Sequence, residues 1–495
     1  MATFLLLLSG LFLGWSLGAN DAANIFGTAV MTRMVRFRFA ALLCSVFVIV
    51  GALQGGKGAS ATLGNFASIS FLPAAFTVAL ACALTLFAMT RLKLPVSSSQ
   101  AIIGALIGWN LFAGHPINLT SLGTIASTWV FSPILAAGSA ILLYLFFKFI
   151  QKRTTIRLAT SDLLLRWGLI LAGIFGAYSL GVNNIANVVG IFIRSNPFPP
   201  ITLGFLRFSA LDLLFLAGGI AIALGVITYS KNVMTTVGSD IFKLTPMTGF
   251  IVVCASALSL FLFGSPDLQH WLIRNGLPSF PLVPVSSSQA VVGAVLGIGM
   301  VRNITSINWR TLSRIGIGWV ATPLLTAAVA FFLLFIMQNV FTQHVREKTI
   351  FLIKPVVREK CTPSIPAGQL ASLDFKPFHS EQTFRDLLEK KGVSSSQIEI
   401  LLKYARYTPI IIDHSVLHPL FGLTNLTDAQ RKSIGSLSGH FFSYRWEMEF
   451  ALSALGEEWR LKPDIETNKT HNTAVQDAYD FIFTAFSTPV HTDTL

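Results

Sequence analysis

One seven-residue stretch occurs twice in this chain. Pro95-Val96-Ser97-Ser98-Ser99-Gln100-Ala101 returns 189 positions later as Pro284-Val285-Ser286-Ser287-Ser288-Gln289-Ala290. Each copy runs on into an apolar, glycine-spaced segment, to Gly108 and to Gly299. The proline lacks an N–H and disfavours helix in the residue before it, so it ends whatever helix precedes it. Serine is among the best caps for the unpaired N–H groups of a new helix, so the three serines mark a helix start. Long hydrophobic stretches flank both copies. A helix that starts at membrane depth presents free N–H groups, hydroxyls and the positive end of its dipole, which together suit an anion. Two such starts predict a pseudo-symmetric membrane protein with two broken segments converging on one anion.

Composition supports the membrane setting. The 495 residues are 53% hydrophobic and only 12% charged, with a mean hydropathy of +0.65. Many windows exceed the ~20 apolar residues that a spanning helix needs. Met1 opens almost directly on apolar sequence without a basic leader, which reads as a retained first span rather than a signal peptide. Residues 1–340 hold 19 Lys and Arg against 5 Asp and Glu, whereas residues 341–495 hold 17 against 18. The basic excess therefore belongs to the apolar part, as expected of loops facing the cytoplasm. The near-neutral tail offers no nucleic-acid surface. The four cysteines form no CxxC or Cys/His cluster, so neither a disulfide framework nor a metal site is indicated.

Two further landmarks repeat in the same order. Gly18-Ala19-Asn20-Asp21-Ala22-Ala23-Asn24 is matched by Gly181-Val182-Asn183-Asn184-Ile185-Ala186-Asn187, and Trp129-Val130 with Pro133 by Trp319-Val320 with Pro323. Three ordered landmarks establish an internal duplication. The expected domains are a first transmembrane repeat at 1–150, a second at 151–340 and a small, mostly helical soluble domain at 341–495. Apolar segments are expected at about 3–18, 39–54, 72–90, 121–149, 167–180, 203–229, 249–264 and 311–340. The basic residues just after 340, like the linker at 148–157, argue for the cytoplasmic side. A third Val-Ser-Ser-Ser-Gln, at 393–397, lacks the proline and the glycine-rich run and is expected only to cap a helix, as is Thr427 with Gln430.

Asp21 is the only acidic residue in the first 150 positions. A carboxylate near the bilayer centre costs ~2.5–3.5 kcal/mol or more, so it needs a purpose. Asn20, Asp21 and Asn24, with Asn183 and Asn184 in the second copy, are read as cation ligands, with the helix expected to unwind at Gly18 and sodium or a proton held at Asp21. The alternative is an interfacial helix cap. Asn184 stands where symmetry calls for an aspartate. Its amide oxygen can ligate sodium but cannot titrate. Asp212 reads either as an ion pair with Arg207 or as compensation for the missing carboxylate. Ser97, Ser98, Ser99, Gln100, Ser286, Ser287, Ser288, Gln289, Asn24 and Asn187 are read as the anion site. The two glutamines would either touch the anion or hold the hairpins together, and small polar helix packing is the competing account of the serines. His115 and His270 show no ligand spacing. Asn118 and Asn303 match glycosylation tripeptides, which are common by chance.

In combination, Gly-Ala-Asn-Asp-x-x-Asn, the two Pro-Val-Ser-Ser-Ser-Gln segments, and Thr236-Val237-Gly238 with Leu244-Thr245-Pro246-x-x-Gly249-Phe250 resemble the inorganic phosphate transporter (PiT) family over residues 1–340. The resemblance implies an all-α, polytopic helical carrier with two inverted repeats and broken or re-entrant segments. It implies symport of inorganic phosphate with sodium or protons across a plasma or inner membrane. The partners would be phosphate, the coupling ion, the lipid bilayer and, as a further candidate, a second copy of the chain. No cofactor and no catalytic residue are expected. Asn184 departs from the family's second aspartate, and residues 341–495 depart from its core pattern. A permease for a related oxyanion such as sulfate, or a receptor or scaffold working through the tail, are the rival readings.

Overall fold

The computed structural model describes all residues except 1–4, 68, 92–95, 115–116, 118, 155–156, 200, 204–205, 232–233, 235–243, 303–306, 347–349, 362–364, 367–369, 379–380, 413–425, 464–467 and 487–495. Lys93, Pro95, His115, Asn118, Asn232, Val233, Thr236 to Gly238, Asp240 and Asn303 therefore lie outside the described residues. The chain divides into two units, Met1–Arg346 and Glu347–Leu495.

The first unit is helical. Its elements are α1 (Leu8–Met31), α2 (Phe37–Gly55), α3 (Lys57–Ala67), α4 (Leu72–Arg91), α5 (Ser98–Ala113), α6 (Leu119–Arg153), α7 (Leu158–Val189), α8 (Ala210–Thr228), α9 (Pro246–Gly264), α10 (Pro266–Arg274), α11 (Ser287–Arg302) and α12 (Trp309–Asn339). Seven of the described helices are long and apolar enough to cross a membrane. The protein is a multi-pass integral membrane protein of two inverted repeats. Helices α5 and α11 have 16 residues each, about 24 Å at ~1.5 Å per residue, too short for the ~30 Å of hydrocarbon. Neither crosses the hydrocarbon on its own.

The repeats are interleaved rather than side by side. Helix α1 packs on α8 and α2 on α7; α5 packs on α12 and α11 on α6. Glycines make the contacts close. A Cβ at Gly104 would overlap the Pro323 carbonyl oxygen, and one at Gly108 that of Ala327. In the mirror contact Gly293 meets Pro133, and Gly297 meets Ala137. Both series rise together, so each short helix runs parallel to its partner. Small residues let backbones touch where lipid supplies no hydrophobic drive between helices.

Four sequence readings change. The helix does not unwind at Gly18: α1 is continuous from Leu8 to Met31, and Gly18 instead brings α1 against the Ile222 carbonyl of α8. Residues 57–67, left between the apolar segments expected at about 39–54 and 72–90, form a helix of their own. The segment expected at 203–229 starts with a short hairpin, β1 (Ile201–Leu203) and β2 (Leu206–Phe208), in which Ile201 faces Phe208. Asp212 serves the start of α8. It forms a capping box with Ser209 and lies 3.8 Å from Lys57, so a helix cap explains it and it does not replace the carboxylate missing at 184. By contrast, the Leu-Thr-Pro-x-x-Gly motif is a helix start as local chemistry demands. Thr245 caps α9, Pro246 fills its first turn and Gly249 abuts Thr28.

The second unit contains β3 (Ile350–Phe351), α13 (Pro355–Cys361), α14 (Glu381–Lys390), α15 (Ser395–Ala405), β4 (Arg406–Tyr407), β5 (Ile410–Ile411), α16 (Asp428–Ser436), β6 (Phe441–Phe442), α17 (Arg445–Leu455) and α18 (Lys469–Phe486). Strand β3 pairs with β4 and β5 with β6, both antiparallel. One apolar cluster gathers on Phe384, Leu388 and Leu401, another on Met448, Leu452, Trp459 and Ile482. Ser394 and Thr427 form capping boxes as expected.

Gly293→Ala places a methyl group against the Pro133 carbonyl and is expected to destabilise the protein by about 1–3 kcal/mol. Gly138→Ala, with nothing within 4 Å, should leave the unfolding temperature in detergent unchanged. Equal unfolding temperatures for the two variants would refute the close-packing account.

Candidate functional site

The starts of α5 and α11 meet the middle of α1 and the C-terminal end of α7. Ser97 caps α5 by accepting from the Gln100 N–H at 3.2 Å, and Ser286 caps α11 by accepting from the Gln289 N–H at 3.2 Å. The third serine of each copy reaches across to the other. Ser99 Oγ donates to the Val285 carbonyl at 2.9 Å, and Ser288 Oγ to the Val96 carbonyl at 3.2 Å. The middle serines, Ser98 and Ser287, lie close enough to the Asp21 carboxylate to interact with it electrostatically. Each motif thus divides its hydroxyls among a cap, a strap and the centre.

Asp21 sits among these groups and is 1% exposed. Its Oδ1 accepts from Asn20 Nδ2 at 3.0 Å, and its Oδ2 from Asn184 Nδ2 at 2.6 Å. The pseudo-symmetric pair, Asp21 and Asn184, is therefore in direct contact. Asn183 is held from the other side. Its Oδ1 accepts from the Val285 N–H at 2.8 Å, and its Nδ2 donates to the Val285 carbonyl at 2.8 Å and to Asn184 Oδ1 at 3.0 Å. Asn24 Nδ2 reaches Ser287 Oγ at 3.4 Å, and Asn187 Nδ2 reaches Ser99 Oγ at 3.1 Å. All fourteen sequence-designated residues fall in this one region, and all but Asn20 and Asn24 are buried.

Three buried oxygens here have no hydrogen-bond partner: Gln100 Oε1, Gln289 Oε1 and Asn187 Oδ1. Buried polar groups are ordinarily paired, so an orphaned set needs an explanation. The tail copy shows what the same sequence does as a plain cap. There, Gln397 Oε1 folds back to accept from the Ser394 N–H at 3.0 Å. In the membrane copies the glutamine oxygens are left free beside the helix starts. The first-turn amides of α5 and α11 have no intrahelical carbonyl. The site therefore offers donors, acceptors and one carboxylate, a set able to take an anion and a hard cation together.

The two tryptophans served the sequence analysis only as duplication markers. Trp129 Nε1 and Trp319 Nε1 are also buried without a partner. Each lies four residues before the proline that meets the other repeat's glycine, and that glycine is itself four residues after Gln289 or Gln100. The indoles are therefore level with the glutamines on parallel helices. Their repetition at one offset was the signal that could have marked them.

The model of the phosphate transporter family matches residues 17–268 and 273–457. A protein of Methanocaldococcus jannaschii, provisionally assigned as a phosphate permease, is 28% identical over 325 residues, covering 66% of this chain and 94% of its own. The sulfate permease CysP of Bacillus subtilis is 27% identical over 336 residues, covering 66% of this chain and 86% of its own. Among solved structures, a sodium-dependent phosphate transporter superposes with a TM-score of 0.53 at 23% identity, covering 68% of this chain and 99% of its own.

Asn183→Ala strands the Val285 N–H and carbonyl and is expected to cost about 1–3 kcal/mol. Asn20→Ala, which removes one bond at a half-buried position, should cost less. Thermal unfolding of the two purified variants compares them, and a larger loss for Asn20→Ala would overturn the clamp.

Proposed function

Because the chain belongs to the phosphate transporter family, we propose that it is a secondary active symporter that carries inorganic phosphate coupled to sodium or protons. The observation that carries this reading is the meeting of two membrane-embedded helix starts with a single buried carboxylate. One helix dipole contributes only ~0.3–2 kcal/mol toward an anion. Two helix starts, the free amides and the hydroxyls together make removal of phosphate from water affordable. Asp21 would bind the coupling cation or proton, whose charge offsets that of the anion and favours the loaded state. Ser98 and Ser287 lie beside Asp21 and begin the two helices, so they would link the two ligands. In this reading, residues 1–150 and 151–340 form the transport unit and 341–495 a further domain, into which the family match extends as far as residue 457.

Phosphate is favoured over sulfate by the orphaned acceptors. Gln100 Oε1, Gln289 Oε1 and Asn187 Oδ1 require donors. Protonated phosphate donates through its P–OH, whereas sulfate at neutral pH only accepts.

The test is uptake of labelled phosphate into proteoliposomes under a sodium gradient, a proton gradient or neither, with sulfate as competitor. The expected result is gradient-driven uptake that resists sulfate and falls by about 10–150-fold in Asp21→Asn, the loss of a charged contact worth ~1.5–3 kcal/mol. Failure to accumulate phosphate under either gradient, or full competition by sulfate, would overturn the assignment.

A further inference from the structure

The amide of Asn184 has a fixed orientation, which the backbone of the second broken segment dictates. The Val285 N–H can only be met by an oxygen, so the Asn183 end that faces it, at 2.8 Å, is Oδ1. The other end, Nδ2, meets the Val285 carbonyl at 2.8 Å and gives its second hydrogen to Asn184 Oδ1 at 3.0 Å. Asn184 has thereby committed its oxygen, and its Nδ2 is the group set 2.6 Å from Asp21 Oδ2. An amide nitrogen has no lone pair to offer a metal ion. Hard cations take oxygen. Flipping Asn184 to present its oxygen would set two N–H donors against each other at Asn183 and two oxygens against each other at Asp21. Among the described residues, Asn20 has no comparable clamp and bonds only Asp21.

Resting on the transport reading above, we infer that Asn184 is a built-in hydrogen-bond donor that occupies, with a fixed N–H, the flank of Asp21 where a second cation would otherwise sit, so that the second repeat supplies no cation site. Asn184 is a positioning residue for Asp21, and the transport cycle runs on one coupling cation fewer than two facing carboxylates would require. The sequence alone pointed the other way, to Asn183 and Asn184 as ligands.

The two roles predict opposite signs. If Asn184 were a ligand, Asn184→Ala would weaken cation binding. As a competitor for Asp21 it should do the reverse. Equilibrium binding of radioactive sodium is measured on the purified full chain with saturating phosphate, for the native protein, Asn184→Ala and Asn184→Asp. The expected result is a several-fold lower sodium dissociation constant in Asn184→Ala and one additional sodium per chain in Asn184→Asp. Sodium bound by either variant but not by the native chain would also support the inference. Weaker sodium binding in Asn184→Ala, an unchanged count in Asn184→Asp, or no binding by any form would overturn it. Either variant decides alone should the other not fold. The phosphate-uptake assay is separate, so its failure would sink the transport reading without being mistaken for this result.

Discussion

A carboxylate taken out of water must be met by donors, and the structure around Asp21 follows from that requirement. Asn20 on α1 and Asn184 on α7 donate to it, and Ser98 at the start of α5 and Ser287 at the start of α11 lie beside it. One charge therefore draws four segments to a point. An incoming cation has to displace some of these donors. Cation occupancy and the fit of the four segments are then one equilibrium, and whatever binds at Asp21 shifts the packing of both repeats.

The frame that holds this point is built from absences of side chain. Lipid is as apolar as leucine, so helices gain little by burying apolar surface against each other, and close backbone contact has to substitute. Gly104 against Pro323 and Gly293 against Pro133 are the same joint made twice. The joint fixes the height of α5 on α12 and of α11 on α6, and so sets where the two helix starts end. The serine straps, Ser99 to Val285 and Ser288 to Val96, complete the alignment from the other side. Positions of the polar groups are thus decided by steric contacts one turn away.

The duplication, the membrane class and the set of residues that the fold gathers around Asp21 were legible because they lie in identity and spacing. Asp21, alone in a long uncharged stretch, needed no structure to stand out. The division of the serines did not show. Ser97, Ser98 and Ser99 are identical in type, and only the approach of Val285 and Asp21 separates cap, centre and strap. Gly18 was misread for a similar reason. Glycine permits both an unwound turn and a tight helix contact, and only the position of Ile222, some two hundred residues later, decides between them. Asp212 looked like a membrane charge because its capping partner, Ser209, is unremarkable in sequence.

The interleaving of the repeats also has a consequence in time. The glycines of α5 pack on Pro323 and Ala327 of α12, and the two helices are separated by the 195 residues between Ala113 and Trp309. At about 5–20 residues per second of synthesis, α5 waits roughly 10–40 s beside lipid before that partner exists. During that interval its polar start has neither the Val285 strap nor the α12 groove. A half-made chain is therefore a vulnerable species, and the first repeat is an unfinished surface until the ribosome has nearly completed the second.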